Sequence, residues 1–247
     1  MTATFPLRVA VNNALISTGL DGTYVRWRHE WRNRPFWTSK SLQENVGFSH
    51  REDVDEALKR VHALLRETVE RFVPDGERIL DIGSGTGLVA RTLVDRWAVV
   101  GIDISSTLTE IARQTCPKAD FIVGDILESH IGGDFALVYC IGVLGYVPPG
   151  QLRAYFQRVH FALADGGILF LQYPHAITWS SLLHPNLLYT KYSPRAVRRC
   201  AEEFFEIVEH RHSFYDDHAV ETYDRNPFPR DSFVNGYLLI GRKRSAR

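Results

Sequence analysis

A strand that runs straight into three closely spaced glycines constrains this chain more than any other feature: Ile79-Leu80-Asp81-Ile82-Gly83-Ser84-Gly85-Thr86-Gly87. Glycine lets the backbone turn sharply and lets a ligand approach to a distance that a Cβ would block. A helix expected to open after the turn would offer free N–H groups and a partial positive charge. Dinucleotide-binding turns carry the spacing G-x-G-x-x-G. Here the third glycine comes one residue early, and Leu88 stands where that pattern wants it. Asp81, two positions ahead of Gly83, would repel a pyrophosphate but can take up the ammonium of an amino-acid ligand.

The sequence around this turn alternates short apolar runs with helical stretches. Residues 78–82, 97–103, 119–123, 134–141 and 167–173 read as strands, and 88–95, 106–115 and 151–164 as helices. Strands spaced by helices of this length imply parallel crossovers and a sheet covered on both faces. The ending breaks the alternation. Residues 193–204 read as a helix with Ser193 as cap and Pro194 in its first turn. Two strand-like segments, 205–215 and 233–241, then follow with no helical pattern between them, so they should pair antiparallel. Upstream, Val54, Ala57, Leu58, Val61, Leu64, Leu65 and Phe72 share one side of a helix over 53–72. Asp53 suits its N-cap, and Pro74-Asp75-Gly76 stops it. Residues 1–50 mix Tyr24, Trp27, Trp31, Phe36 and Trp37 with Arg26, Arg28, Arg32 and Arg34 without a firm period. They read as an arm or lid on a main domain spanning 51–247, although aromatic–arginine mixtures can also stack on single-stranded nucleic acid.

Composition narrows the partners. Lys plus Arg equals Asp plus Glu at 29 each, for a net charge of zero. Phosphate neutralisation supplies most nucleic-acid affinity, so no nucleic-acid partner is expected. The 3 cysteines, Cys116, Cys140 and Cys200, have no metal-ligand spacing, so neither a metal site nor a disulfide framework is expected. No run of apolar residues is long enough for a membrane span, and the N-terminus lacks a convincing signal peptide. A cytoplasmic protein with no membrane partner is the expectation, and oligomeric state is not readable.

Asp81-x-Gly83-x-Gly85-x-Gly87 after a strand resembles motif I of the class I S-adenosylmethionine-dependent methyltransferases. Further landmarks follow in order. Asp103 ends the second strand, Gly124-Asp125-Ile126 follows the third, residues 134–141 resemble the fourth, and Leu163-Ala164-Asp165-Gly166-Gly167 leads into the fifth. The antiparallel pair at the end matches the family's reversed strand. The resemblance covers residues 77–243. It implies an α/β, Rossmann-like, doubly wound, seven-stranded and mostly parallel sheet with a reversed last strand, plus an N-terminal helical arm. The implied cofactor is S-adenosylmethionine. Asp81, Gly83, Ser84, Gly85, Thr86 and Gly87 would face its amino-acid end, Asp103 and Ile104 its ribose, Asp125 and Ile126 its adenine, and Cys140 the methionine moiety. Read alone, Asp103 could instead cap a helix and Asp125 could shape a turn.

Methyl transfer from a sulfonium is an in-line displacement for which the protein supplies approach geometry and desolvation. A base is needed only for a hydroxyl or a protonated amine. His175 is the candidate, since it follows strand five at the sheet edge where open α/β folds bind ligands. A loop histidine without a chemical role is the alternative. Tyr146, Tyr173 and His184 are candidate substrate contacts, or packing groups. Relatives with small-molecule substrates often carry a histidine at the place of Tyr146. The Asp/Asn-Pro-Pro-aromatic signature of DNA amino-methyltransferases is replaced by Cys140-Ile141-Gly142-Val143. The expected function is methylation of a small-molecule hydroxyl or amine, on a sugar or natural-product intermediate. An NAD-dependent oxidoreductase and a non-catalytic S-adenosylmethionine-binding protein are the alternatives.

Overall fold

The computed structural model describes residues 52–174, 192–212 and 236–244. The expected arm at 1–50 and the candidates His175 and His184 lie outside the described residues.

Helix α1 (Glu52–Phe72) begins one residue ahead of the expected cap, so Asp53 lies inside it. The remaining elements, in order, are β1 (Arg78–Ile82), β2 (Ala98–Asp103), α2 (Ser106–Thr115), β3 (Asp120–Val123), β4 (Phe135–Ile141), α3 (Leu152–Ala162), β5 (Leu163–Pro174), α4 (Pro194–Ala201), β6 (Phe205–His212) and β7 (Gly236–Lys243). The strands form one sheet in the order β3-β2-β1-β4-β5-β7-β6. The first five run parallel. β7 is antiparallel to both β5 and β6, which is the reversed pairing expected of the chain's end.

Alternation along the strands sorts side chains onto two covered faces. Leu80, Ile82, Val138, Cys140, Leu169 and Leu171 pack with Tyr155, Phe156 and Val159 of α3 and Val197 of α4. Ile79, Leu137, Tyr139, Ile168 and Phe170 pack with Val61, Leu65 and Val69 of α1 and Ala112 of α2. Strands buried on both faces read as continuous apolar runs, which is why the central ones were visible in the sequence. Trp97 closes the base of the α1 layer. Its indole N–H points at the Val73 and Pro74 carbonyls, 3.3 and 3.1 Å away, and ties the end of α1 to the start of β2.

The expected helix over 88–95 is not formed. A 3-10 turn, Ala90–Thr92, occupies that stretch, with separate i→i−4 bonds from Arg91 N to Gly87 O and from Val94 N to Ala90 O that do not join into a regular helix. Thr92 N donates to Val89 O at 2.9 Å while its hydroxyl bonds the same carbonyl at 2.7 Å, a local pairing that competes with the α-helical ladder. Val89, Thr92 and Val94 are also β-branched and stiff. The helix expected over 151–164 stops at Ala162 because Leu163 is already extended, at φ −77 and ψ 142, and opens β5.

Candidate active site

The carboxyl ends of β1, β2 and β3 converge on the glycine turn. Gly83 N and Ser84 N both donate to Ile102 O of β2, at 2.8 and 3.2 Å. Gly85 N donates to Asp103 Oδ2 at 2.9 Å, and Gly87 N to Ser84 O at 2.9 Å. Gly83, Gly85 and Gly87 all take positive φ, of 77, 52 and 76. The close neighbours differ. A Cβ on Gly83 would stand 2.1 Å from Val143 Cγ2, and one on Gly87 3.1 Å from Phe121 Cζ. A Cβ on Gly85 would meet nothing within 4 Å, so the crest of the turn faces open space.

This arrangement departs from the expectation of free N–H groups at a helix start. The Gly83, Ser84, Gly85 and Gly87 amides are engaged by β2, by Asp103 and by the turn itself, and the stretch that follows forms a 3-10 turn and no regular α-helix. A pyrophosphate needs such donors. A ligand with hydroxyls and an ammonium needs acceptors instead, and the site provides these.

Asp103 is the central acceptor. Its Oδ1 takes Ser105 N at 2.8 Å and its Oδ2 takes Gly85 N. Each carboxylate oxygen has a second lone-pair position, so two adjacent hydroxyls can still be accepted. Burial pushes the Asp103 carboxyl up from its ordinary value, and the two amides oppose that shift. Helix capping next to it falls to Ser105, whose Oγ accepts Leu108 N at 3.3 Å. Gly124 N donates to Asp103 O at 2.9 Å, which brings the third landmark against the second. Asp125 Oδ1 accepts Leu127 N at 2.9 Å and so shapes its own turn, with Ile126 buried and Ile104 half-buried nearby in the chain.

Asp81 lies behind the turn on the α1 face. It is 3% exposed, and its Oδ2 has no hydrogen-bond partner. Burial pushes its carboxyl up to about 7; the neighbouring Tyr139 hydroxyl opposes this and the Asp103 charge adds to it. Tyr139 is the cross-strand neighbour of Asp81, and its hydroxyl lies near enough to act on that carboxyl but falls short of a well-formed hydrogen bond. Ser84 Oγ is a third buried polar atom without a partner. Such groups are rare in folded proteins because each carries an unreturned desolvation cost. Ser84 lies in the turn itself, Asp81 just ahead of it on β1, and Tyr139 beside Asp81 on β4.

The other candidates fall into two groups. Cys140 is fully buried on the opposite face. Burial raises its thiol to about 12, with Tyr155 and the Val143 and Leu144 amides beside it, so its side chain belongs to the core. Tyr146 ends the 3-10 turn Leu144–Tyr146 beyond β4 and is half-buried, near the Gly83–Val143 contact. Tyr173 is also fully buried. Its hydroxyl stands 2.9 Å from His210 Nε2 on β6, and its ring stacks on Tyr237, so it reaches across β7 away from β4. Sequence reasoning did not single out Tyr139 or Gln172. The one available signal was a polar side chain inside an otherwise apolar strand run.

The sheet order, the reversed β7 and the acid-flanked glycine turn are those that the resemblance to class I S-adenosylmethionine-dependent methyltransferases implies. Comparison with known proteins agrees: residues 79–167 match the family model described as a methyltransferase domain. A trans-aconitate 2-methyltransferase of Rhodopseudomonas palustris (strain BisA53) is 32% identical over 49% of this chain and 46% of its own length. A ubiquinone biosynthesis O-methyltransferase of Xanthomonas axonopodis pv. citri (strain 306) is 32% identical over 48% of this chain and 54% of its own. The chain therefore spans about half the length of the curated relatives it matches. The N-methyltransferase NodS of Bradyrhizobium japonicum WM9, solved with S-adenosyl-L-homocysteine, superposes with a TM-score of 0.62 at 17% identity. That match covers 82% of this chain and 98% of NodS, and it shows a shared fold. Among the described residues no helix is long and apolar enough to cross a membrane.

Proposed function

We propose that this protein transfers the methyl group of S-adenosylmethionine to a hydroxyl or amine of a small molecule. The observation that carries the reading is the Asp103 carboxylate. It is held by two backbone amides at the mouth of a glycine turn whose crest is open and whose Gly83, Ser84, Gly85 and Gly87 amides are already engaged. That set of groups suits a ribose diol and an ammonium, and it suits a dinucleotide pyrophosphate poorly. This argues against the oxidoreductase alternative.

When bound, S-adenosylmethionine supplies a methyl group already activated by a positive sulfur. The protein's own residues then have three tasks. Asp103 accepts the ribose hydroxyls and fixes the ligand along the edge of β2. Asp81, whose buried Oδ2 has no hydrogen-bond partner, takes the ammonium and regains the charge that burial opposes. Gly83 to Gly87 let the backbone approach closely, while Asp125 and Ile126 flank the adenine end. Fixing the donor in this way leaves in-line approach as the main remaining demand on the acceptor. His175 serves as base for a hydroxyl or protonated amine, with Tyr146 and His184 on the acceptor side.

The test is calorimetric titration with S-adenosylhomocysteine and with NAD, followed by transfer of labelled methyl to a panel of alcohols and amines. Binding of the first ligand alone, with turnover on a panel member, is the expected result. Binding of NAD in its place would defeat the reading. Tight donor binding without turnover on any acceptor would favour a non-catalytic binding protein.

A further inference from the structure

Gln172 is a buried polar residue that the donor site leaves unused. It lies two positions before the end of β5, is 0% exposed, and has hydrogen-bond partners for neither its Nε2 nor its Oε1. A primary amide has two donors and an acceptor, and water would satisfy all of them. Leaving the whole group unpaired in the interior is a cost that a leucine or methionine of similar size would avoid. Its main chain is paired within the sheet, with Gln172 O accepting Gly142 N at 3.0 Å just after β4. The orphaned side chain is therefore not a by-product of a poorly paired strand.

Its surroundings place it at the ligand-bearing edge. Gln172 pairs with Ile141, the last residue of β4, on one side and with Leu238 of β7 on the other. Tyr139 is two residues back along β4 on the same face, and Asp81 is the neighbour of Tyr139 on β1. α1 packs across β4 and β5 over this face. The unpartnered groups thus run diagonally under α1, from Asp81 through the Tyr139 hydroxyl to the Gln172 amide. The first lies behind the donor turn, and the last stands two strands away from it, with β4 between.

We propose that Gln172 determines acceptor specificity, holding a neutral group that presents a hydrogen-bond donor and acceptor together, such as a carboxamide or a hydroxyl-bearing carbonyl. This rests on the methyl-transfer reading above, with the donor on β1 and β2 and the acceptor beyond β4. A carboxylate answers only half of the amide. It accepts from Nε2 but leaves Oε1 without a donor, and it brings negative charge toward Asp81. Selection against an unmatched polar group is steep in a buried site, because the protein's own atoms are then left unpaired.

The proposal is tested with Gln172→Leu in the full chain and with benzamide and benzoate as a matched pair of probes. Ligand-observed NMR is run on protein saturated with S-adenosylhomocysteine. Benzamide should bind the wild type and benzoate should not, and Gln172→Leu should lose the benzamide signal by tenfold or more. S-adenosylhomocysteine affinity should stay within a few-fold of wild type, and the variant should melt higher by roughly 2–4 °C, because an unpaired amide has been replaced by an apolar group. A lower melting temperature would show that the amide is structural. A loss of S-adenosylhomocysteine affinity would place it in the donor site. No benzamide binding, or equal binding of both probes, would overturn the selectivity. Failure of wild-type protein to bind S-adenosylhomocysteine at all would refute the donor reading itself.

Discussion

Asp81 makes a pH-dependent prediction whose sign is fixed by its burial. Its carboxyl lies at about 7 in the fold against an ordinary value of 3.8, with Tyr139 and Asp103 as the titratable groups acting on it. Between those two pH values the folded state holds a proton that the unfolded chain has released. Stability from this group is therefore present in acid, declines as pH rises from about 4 to about 7, and is level above that. A displacement of this size corresponds to about 4 kcal/mol across the window. Asp81→Asn removes the titration and keeps the shape. In urea unfolding at pH 5 and pH 8, wild type should lose about 2–3 kcal/mol relative to the variant on going to pH 8, the remainder of the effect lying below pH 5. An ammonium beside Asp81 would favour its charged form. S-adenosylhomocysteine binding near pH 6 should therefore release a proton, visible as a dependence of the calorimetric enthalpy on buffer ionisation, and Asp81→Asn should abolish it. A stability difference between the two proteins that is flat from pH 5 to pH 8 would refute the argument.

Asp103→Ala leaves Gly85 N and Ser105 N without their acceptor; S-adenosylhomocysteine binding should weaken by about 1–3 kcal/mol, and unchanged calorimetric affinity would remove Asp103 from the site. Gly83→Ala places a methyl 2.1 Å from Val143 Cγ2 at a φ of +77 and should cost about 1–3 kcal/mol of stability. Adding Val143→Ala should return part of that in thermal melts, and no recovery would mean the backbone conformation alone sets the penalty. His175→Ala should lower turnover by about 10²–10⁴-fold with donor affinity kept, and should flatten the alkaline rise of the rate; turnover within a few-fold of wild type would show that positioning suffices.

Much of the fold was legible because the central strands carry their burial in plain apolar runs. Ile79, Leu80 and Ile82 of β1 and Leu137 to Cys140 of β4 are each almost fully buried. The antiparallel ending was legible because no helical period separates its two segments. The stretch 88–95 misled because an apolar spacing suited to a helix also suits a short turn held by Thr92 and Val89. In the site, Asp81, Asp103 and the glycines announced themselves through spacing. Gln172 did not, since a single polar residue in Leu169–Tyr173 shows neither which face it takes nor that its amide goes unpaired. Tyr173 could be read as a substrate contact or a packing group, and the sequence does not show that its hydroxyl meets His210, two strands away in the sheet and distant in the chain. Pairings of that kind depend on strand order, and local sequence does not encode strand order.

The glycine turn is closed by its own bonds to β2. A turn so fastened gives up little conformational freedom when a guest arrives, and that loss is one of the main costs of association. Affinity for the donor is thereby distributed to residues that never meet it. Gly101 is one: a Cβ there would stand 2.5 Å from Phe121 and 2.8 Å from Ser84, so the turn can lie flat on β2 only while that position stays bare. Phe121, wedged against both Gly101 and Gly87, is another. Mutations that damage cofactor recognition in this protein are therefore expected among apolar residues of β2 and β3 as well as among the acids, and a survey confined to ligand contacts would miss them.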